Sequence, residues 1–198
     1  MLNKDLPYCD IIMKADAKVA TNHKILTLPE GYSYKMYEDG DEEHWIEIEY
    51  SVHEFESKEK ARDYFNRVFM PYKDTLPKRM CFILDENKNY VATSSAWFKN
   101  SKERYYAVLH WVSTSPSAQG KGLGRAIVTY ALSKFKETDP EEKEIFLHTQ
   151  TWSYKAVGLY GKLGFKITEL PLLDSATDPK AYEVLKKVMH PKHYELII

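Results

Sequence analysis

Between residues 105 and 170 the hydrophobic period of the chain switches from two to about 3.6 and back. That switch restricts the fold more than any other feature. Residues 105–114 alternate as a strand and end in a glycine-rich turn. Leu123, Ile127, Tyr130, Ala131 and Phe135 then recur at helical spacing. Residues 145–149 read as a short strand, 153–163 as a helix stopped by Gly164, and 165–169 as another strand. A strand–turn–helix–strand unit of this length implies two parallel strands joined by a right-handed crossover.

Upstream the pattern is different. Residues 32–37 alternate as a strand. Residues 41–55 fit either period, because Trp45, Ile48, Val52 and Phe55 suit a helical face while Ile46, Ile48, Tyr50 and Val52 alternate. The acidic start Asp41, Glu42, Glu43 favours a helix N-terminus, so a helix is expected. Ser57 can cap a second helix, which should stop near Pro71. Residues 79–84 and 90–98 flank a turn-rich connection and predict a hairpin. Residues 99–104 form a second polar turn. Residues 11–13 and 24–28 are short and fit edge strands or loop. Near the end, 179–189 reads as a helix with Asp178 as its cap, and 193–198 as a terminal strand. Antiparallel hairpins beside a parallel pair make an α/β chain with a mixed sheet.

Composition excludes several alternatives. A chain of 198 residues without repeats or linkers is expected to form a single domain. Its net charge of −1 gives no electrostatic footprint for nucleic acid and no polybasic case for a membrane surface. It lacks the roughly 18 uninterrupted apolar residues of a spanning helix. Residues 1–7 contain no apolar core of a signal peptide. Cys9 and Cys81, its only cysteines, are too few for a zinc site or a disulfide framework, so no metal is expected and a reducing, cytoplasmic setting is. Cys81 lies in an apolar run and reads as a buried free thiol.

The chemistry begins at the turn. Gly120, Gly122 and Gly124 alternate where the helix opens, with Lys121 and Arg125 between and after them. Amides at a helix start lack intrahelical acceptors and suit a phosphate anion. The P-loop pattern fails, because Gly124 is followed by Arg125 and Ala126 rather than Lys and Ser/Thr. The dinucleotide pattern fails, because its last glycine falls on Arg125. An ordinary tight turn remains open on this segment alone. The segment Gln119, Gly122, Gly124, with Pro116 three residues before the Gln and a strand before that, resembles the acetyl-CoA motif of the GNAT acetyltransferase superfamily. The resemblance implies a mostly antiparallel central sheet with one splayed parallel pair and helices on both faces. It implies that the amides of Gln119, Gly120, Lys121, Gly122, Leu123, Gly124 and Arg125 hold the coenzyme A pyrophosphate. It further implies that Val112, Ser113 and Thr114 pair with pantetheine, the Val112 amide meeting the thioester carbonyl.

A second match follows at the family's spacing. Ser153, Ala156, Tyr160, Gly164 and Phe165 resemble Asn-x-x-Ala-x-x-x-Tyr-x-x-x-Gly-Phe, with Ser153 in place of the usual asparagine. A serine there retains a helix-capping acceptor but loses the amide donor. The two motifs cover about residues 105–170; residues 1–75 match only in the order of elements and are expected on the acceptor side. By resemblance, Ser153 and Ala156 contact the coenzyme and Tyr160 is the acid that protonates the leaving thiolate. His110 and His148 stand at the two positions where family members place a catalytic base, and histidine titrates in the useful range. The implied reaction is acetyl transfer from acetyl-CoA to a small-molecule or peptide amine in a ternary complex. Many enzymes of the family dimerise through their C-terminal strands, so the resemblance admits a homodimer, while the residues themselves do not fix the oligomeric state. Glu47, Glu49 and Glu54 suit either a cationic acceptor or a solvated acidic helix face, the blander choice. Trp45, Tyr50, Trp111 and Trp152 suit either an acceptor pocket or core packing. The rival classes are an inactive acyl-CoA-binding module on the same fold and a nucleotide phosphotransferase.

Overall fold

A computed structural model describes residues 2–198. The strands expected from alternation form β2 (Ser33–Met36), β3 (Met80–Leu84), β4 (Tyr90–Asn100) and β5 (Tyr105–Thr114). They are joined by β1 (Asp10–Asp16), β6 (Glu144–Gln150) and β7 (Lys166–Ile167). The seven strands lie in the order β2-β3-β4-β5-β6-β1-β7. The β2/β3, β3/β4, β1/β6 and β1/β7 pairs are antiparallel. β5 and β6 are parallel, in register at Ala107↔Ile145 and Val108↔Phe146. This ladder is short for its strands, since β5 runs on to Thr114 and β6 to Gln150. The fold is α/β with a mixed sheet, as the period switch required.

By its contacts the chain parts into two compact units. One comprises Lys24–Trp97 and His110–Thr138. It holds α2 (Glu42–Ser51), α3 (Lys58–Val68), α4 (Leu76–Arg79) and α5 (Leu123–Thr138). Helix α2 is anchored at its start by Asp41, which accepts from Lys35 Nζ at 2.6 Å, Tyr90 Oη at 2.6 Å and the Glu38 amide at 2.8 Å. Burial opposes the charge on Asp41, but these donors hold its carboxyl below the usual range. Ser57 caps α3 as expected, accepting from the Lys60 amide. That helix ends at Val68, and a 3₁₀ turn carrying Pro71 follows. The buried Arg79 guanidinium donates to the carbonyls of Ala96 at 2.9 Å and Thr138 at 3.3 Å, tying α4 to β4 and to the end of α5. Leu123, Ile127, Ala131 and Phe135 form the buried face of α5.

The other unit comprises the N-terminal segment to His23, Phe98–Leu109 and Asp139–Ile198. It holds α1 (Ala17–Thr21), α6 (Tyr154–Lys162), α7 (Lys180–Val188) and α8 (Pro191–Tyr194). Gly164 closes α6 with φ +93°, the left-handed conformation a helix stop uses. Three expectations need correction here, and one element is new. Residues 11–13 belong to a seven-residue strand that lies between β6 and β7 and is no edge. The short helix α1 was not anticipated. The strand expected over 165–169 shrinks to Lys166–Ile167, because Thr177 interposes: its Oγ1 accepts from the Ile12 amide at 3.0 Å and donates to the Thr168 carbonyl at 2.8 Å. The terminal strand over 193–198 is absent. Pro191 at the first helical position and the His190 ring, which accepts from the Lys192 amide, start α8 instead. The segment expected to end the chain as a strand is therefore a short helix followed by a turn.

No helix among the described residues is long and apolar enough to cross a membrane. Among the described residues, no group of three or more His, Cys, Asp or Glu is placed to hold a metal ion.

Candidate active site

The loop between β5 and α5 is held by backbone bonds to β4 and within itself and by one side chain. The Ser115 amide donates to the Val91 carbonyl at 2.8 Å, and Ala118 and Gln119 donate back to Ser115 and Pro116. The Gln119 side chain closes the loop, donating from Nε2 to the Thr114 carbonyl at 3.0 Å. Gly120 and Gly122 have φ of +78° and +80°. A side chain would meet no atom within 4 Å at either position. Backbone conformation and not crowding therefore demands glycine there. Gly124 differs, because it is helical and a Cβ on it would meet Thr114 Oγ1 at an ordinary 3.7 Å. Lys121 turns toward Tyr32, donating from Nζ to its hydroxyl at 2.8 Å. Arg125 is exposed on the first turn of α5. Leu123, whose amide belongs to the same helix start, buries its side chain.

Upstream of the loop, the end of β5 is irregular. Trp111 adopts φ +47°. His110 precedes it, with Nε2 at 3.1 Å from the Tyr64 hydroxyl. Burial raises the Tyr64 phenol above its ordinary range. Val112 is half-buried, and Ser113 is buried with its hydroxyl donating to Glu49 Oε2 at 2.7 Å. Glu49 is wholly buried. Burial pushes its carboxyl up to about 8; the Ser113 bond opposes the shift and Glu54 adds to it. The expectation of a solvated acidic face thus fails for Glu49. Glu47, by contrast, is exposed and pairs with Lys58.

In this unit the structure brings together His110, Val112, Ser113, Thr114, Gln119, Gly120, Lys121, Gly122, Leu123, Gly124 and Arg125 on one continuous strand, loop and helix start. Glu49 was weighed only as an acceptor contact or a solvated face, and Tyr64 was not singled out for the site. A signal for Glu49 existed: it stands four residues after Trp45 and next to Ile48, on the apolar stripe of its own helix. Trp45 is buried, and Trp111 is packed among Trp45, Phe55 and Tyr64. These two tryptophans are packing residues. Tyr50 is exposed, and Trp152 in the other unit donates from Nε1 to the Leu6 carbonyl at 2.7 Å.

The second unit carries His148, Ser153, Ala156 and Tyr160. His148, on β6, places Nε2 at 2.8 Å from Asp10 Oδ1 on β1. A carboxylate on one ring nitrogen orients the ring. Ser153 occupies the cap position of α6, but its side chain makes no cap hydrogen bond. Ala156 is half-buried in the first turn. Tyr160 is buried on α6, edge-on to Phe165 at 6.2 Å. Helix α6 is glycine-rich for packing: a Cβ on Gly161 would stand 2.5 Å from Ile197 Cγ2.

Residues 41–165 match the sequence profile of the Acetyltransferase (GNAT) family. An uncharacterized N-acetyltransferase of Methanocaldococcus jannaschii is 24% identical over 116 residues, covering 59% of this chain and 50% of that protein. The chain thus spans about half the length of this curated relative. Among solved structures, a GCN5-related N-acetyltransferase from Sphaerobacter thermophilus superposes with a TM-score of 0.62 at 14% identity, over 82% of this chain and 49% of that one. Glucosamine-6-phosphate N-acetyltransferase from Arabidopsis thaliana superposes with a TM-score of 0.52 at 18% identity, over 72% and 97%. The family profile spans more than half of the chain, both motifs included, and the mixed sheet with its single parallel pair agrees with it: this protein belongs to the GNAT acetyltransferase family.

Proposed function

We propose that the protein transfers an acetyl group from acetyl-CoA to an amine by direct attack in a ternary complex, all 198 residues acting as one transferase domain. The observation that carries this reading is the pair of left-handed glycines, Gly120 and Gly122, opening α5 directly after β5. Amides at a helix start, which lack intrahelical acceptors, suit the coenzyme pyrophosphate. Gln119, Lys121, Leu123, Gly124 and Arg125 complete that cradle. Val112, Ser113 and Thr114 pair with pantetheine, and the Val112 N–H stabilises the oxyanion of the tetrahedral intermediate. Ser153 and Ala156 line the coenzyme from α6.

In the reaction the amine nitrogen bonds to the thioester carbon, the C–S bond breaks, and the amine proton passes to a base. His110 and His148 are the candidate bases. Tyr160 gives its proton to the departing thiolate; a phenol of ordinary pKa about 10 keeps that proton at neutral pH, and a thiol near 8.5 makes the transfer only mildly uphill. The acceptor is a small-molecule or peptide amine. The buried free thiols Cys9 and Cys81 support a reducing, cytoplasmic setting.

Calorimetry with acetyl-CoA, together with a thiol-release assay over a panel of amines, tests the reading. Saturable binding and amine-dependent release of coenzyme A are expected. Binding without turnover on any amine would instead indicate an acyl-CoA-binding module, and binding of ATP in place of acetyl-CoA a phosphotransferase.

A further inference from the structure

A strained residue interrupts β5. Trp111, with φ +47°, occupies a backbone region that bulky side chains rarely adopt and that persists only where the surroundings impose it. The imposing groups come largely from α2 and the segment after it. Trp45 lies edge-on to the Trp111 ring at 5.4 Å, and Phe55 stacks on that ring at 5.1 Å. One turn beyond Trp45, Glu49 Oε2 accepts a 2.7 Å hydrogen bond from the Ser113 hydroxyl. Trp111 and Ser113 are the two neighbours of Val112. Helix α2 therefore grips β5 on both sides of the residue whose amide is assigned to the thioester.

We propose that Glu49 is a positioning residue for acyl transfer: through Ser113 it latches the strained strand so that the Val112 N–H keeps the orientation the oxyanion requires. This rests on the proposed role of Val112 in acetyl transfer.

The chemistry of Glu49 fits a latch better than a charge. It is wholly buried, and the groups acting on it are the Ser113 hydroxyl, the Glu54 carboxylate and the Tyr64 phenol, with no cation among them. Its second oxygen, Oε1, has no hydrogen-bond partner among the described residues. Burying a carboxyl under such conditions costs stability that an apolar side chain of similar size would not. Helix α2 needs no carboxyl for packing, since Trp45, Ile46 and Ile48 already bury its apolar face. What Glu49 supplies and a leucine would not is an acceptor for Ser113. A neutral carboxyl accepts that bond as well as a glutamine amide would, so the latch predicts that glutamine substitutes.

Three variants, Glu49→Gln, Glu49→Leu and Ser113→Ala, decide the matter with two readouts. The first is amide hydrogen exchange over residues 108–115 in the protein alone. The second separates acetyl-CoA affinity, by calorimetry, from kcat with whichever panel amine the wild type acetylates. Glu49→Leu and Ser113→Ala are expected to speed exchange across 110–113 and to lower kcat about tenfold or more, since small misplacements of a reacting group are that costly. Their acetyl-CoA Kd should stay within about threefold, and Glu49→Gln should behave as wild type on both readouts. Loss of kcat in Glu49→Gln equal to that in Glu49→Leu would overturn the latch in favour of a charged role. Wild-type exchange and kcat in both Glu49→Leu and Ser113→Ala would overturn it outright. A wild type that acetylates no amine removes the transferase reading, while the exchange comparison still decides whether Glu49 holds the strand.

Discussion

Glu49 is a carboxyl buried with a hydroxyl partner and no cation. Its folded-state pKa, pushed up to about 8 by burial, lies above the ordinary carboxylate value of about 4.3. Between those two values the folded chain keeps a proton that the unfolded chain has lost. Stability is then greatest below the lower value and falls as pH rises toward the upper one. Thermal melts from about pH 5 to about pH 8 should show the wild-type Tm declining relative to Glu49→Gln, in which no proton is linked to folding. Parallel curves would show that Glu49 does not titrate there. Tyr160 allows a sharper test of mechanism. Tyr160→Phe is expected to lower kcat about a hundredfold, the usual scale of lost acid catalysis, with acetyl-CoA affinity unchanged; a normal kcat removes Tyr160 from the reaction. For the base, His110→Ala and His148→Ala should each be compared by pH–rate profile, and a profile left unaltered even in the double variant excludes both. The two histidines and Tyr160 are named from motif position alone. For Glu49 the signals conflict: its place on the apolar stripe with Trp45 points inward, its neighbours Glu47 and Glu54 suggest a solvated face, and packing against β5 decides between them.

At the scale of elements, the strand–loop–helix unit is the part most legible in the chain, since each of its components is chosen by local chemistry. Gly120→Ala and Gly122→Ala force an L-residue into a left-handed conformation and should each destabilise the protein by about 1–2 kcal/mol in chemical denaturation. They should also weaken acetyl-CoA binding if the loop amides cradle its pyrophosphate. Gly124→Ala is the control within the same motif: it is helical and has room for a Cβ, so it should stabilise α5 by about 1 kcal/mol. Equal losses at all three positions would mean that crowding, not backbone conformation, selects glycine. Elements that depend on remote partners were read less well. The strand after Gly164 is cut short by Thr177, a residue with no strand pattern of its own. Ser153 sits where a cap is expected and makes no cap bond.

Across the whole molecule, the last residues show how far the outcome depends on distant packing. Ile197 is wholly buried, its carbonyl accepts from the Ile167 amide at 2.7 Å, and its side chain fills the space that Gly161 leaves open on α6. Ile197→Ala should therefore cost about 2–5 kcal/mol in urea unfolding, as large-to-small core substitutions do. Ile198, 51% exposed, should tolerate the same change at almost no cost. Equal effects would mean the segment does not pack this way. The pattern of the chain by itself determined what short-range chemistry controls: the change of period, the glycine loop, the cap at Ser57, the stop at Gly164 and the parallel unit with its two family motifs. Only the tertiary structure decided the place of β1 between β6 and β7, the strained Trp111, the burial of Glu49 against Ser113, and a terminal helix where alternation suggested a strand. Propensity, capping and turn preference act over a few neighbouring residues, whereas burial and strand pairing are set by partners such as Ser113 and Thr177 that lie far away along the chain.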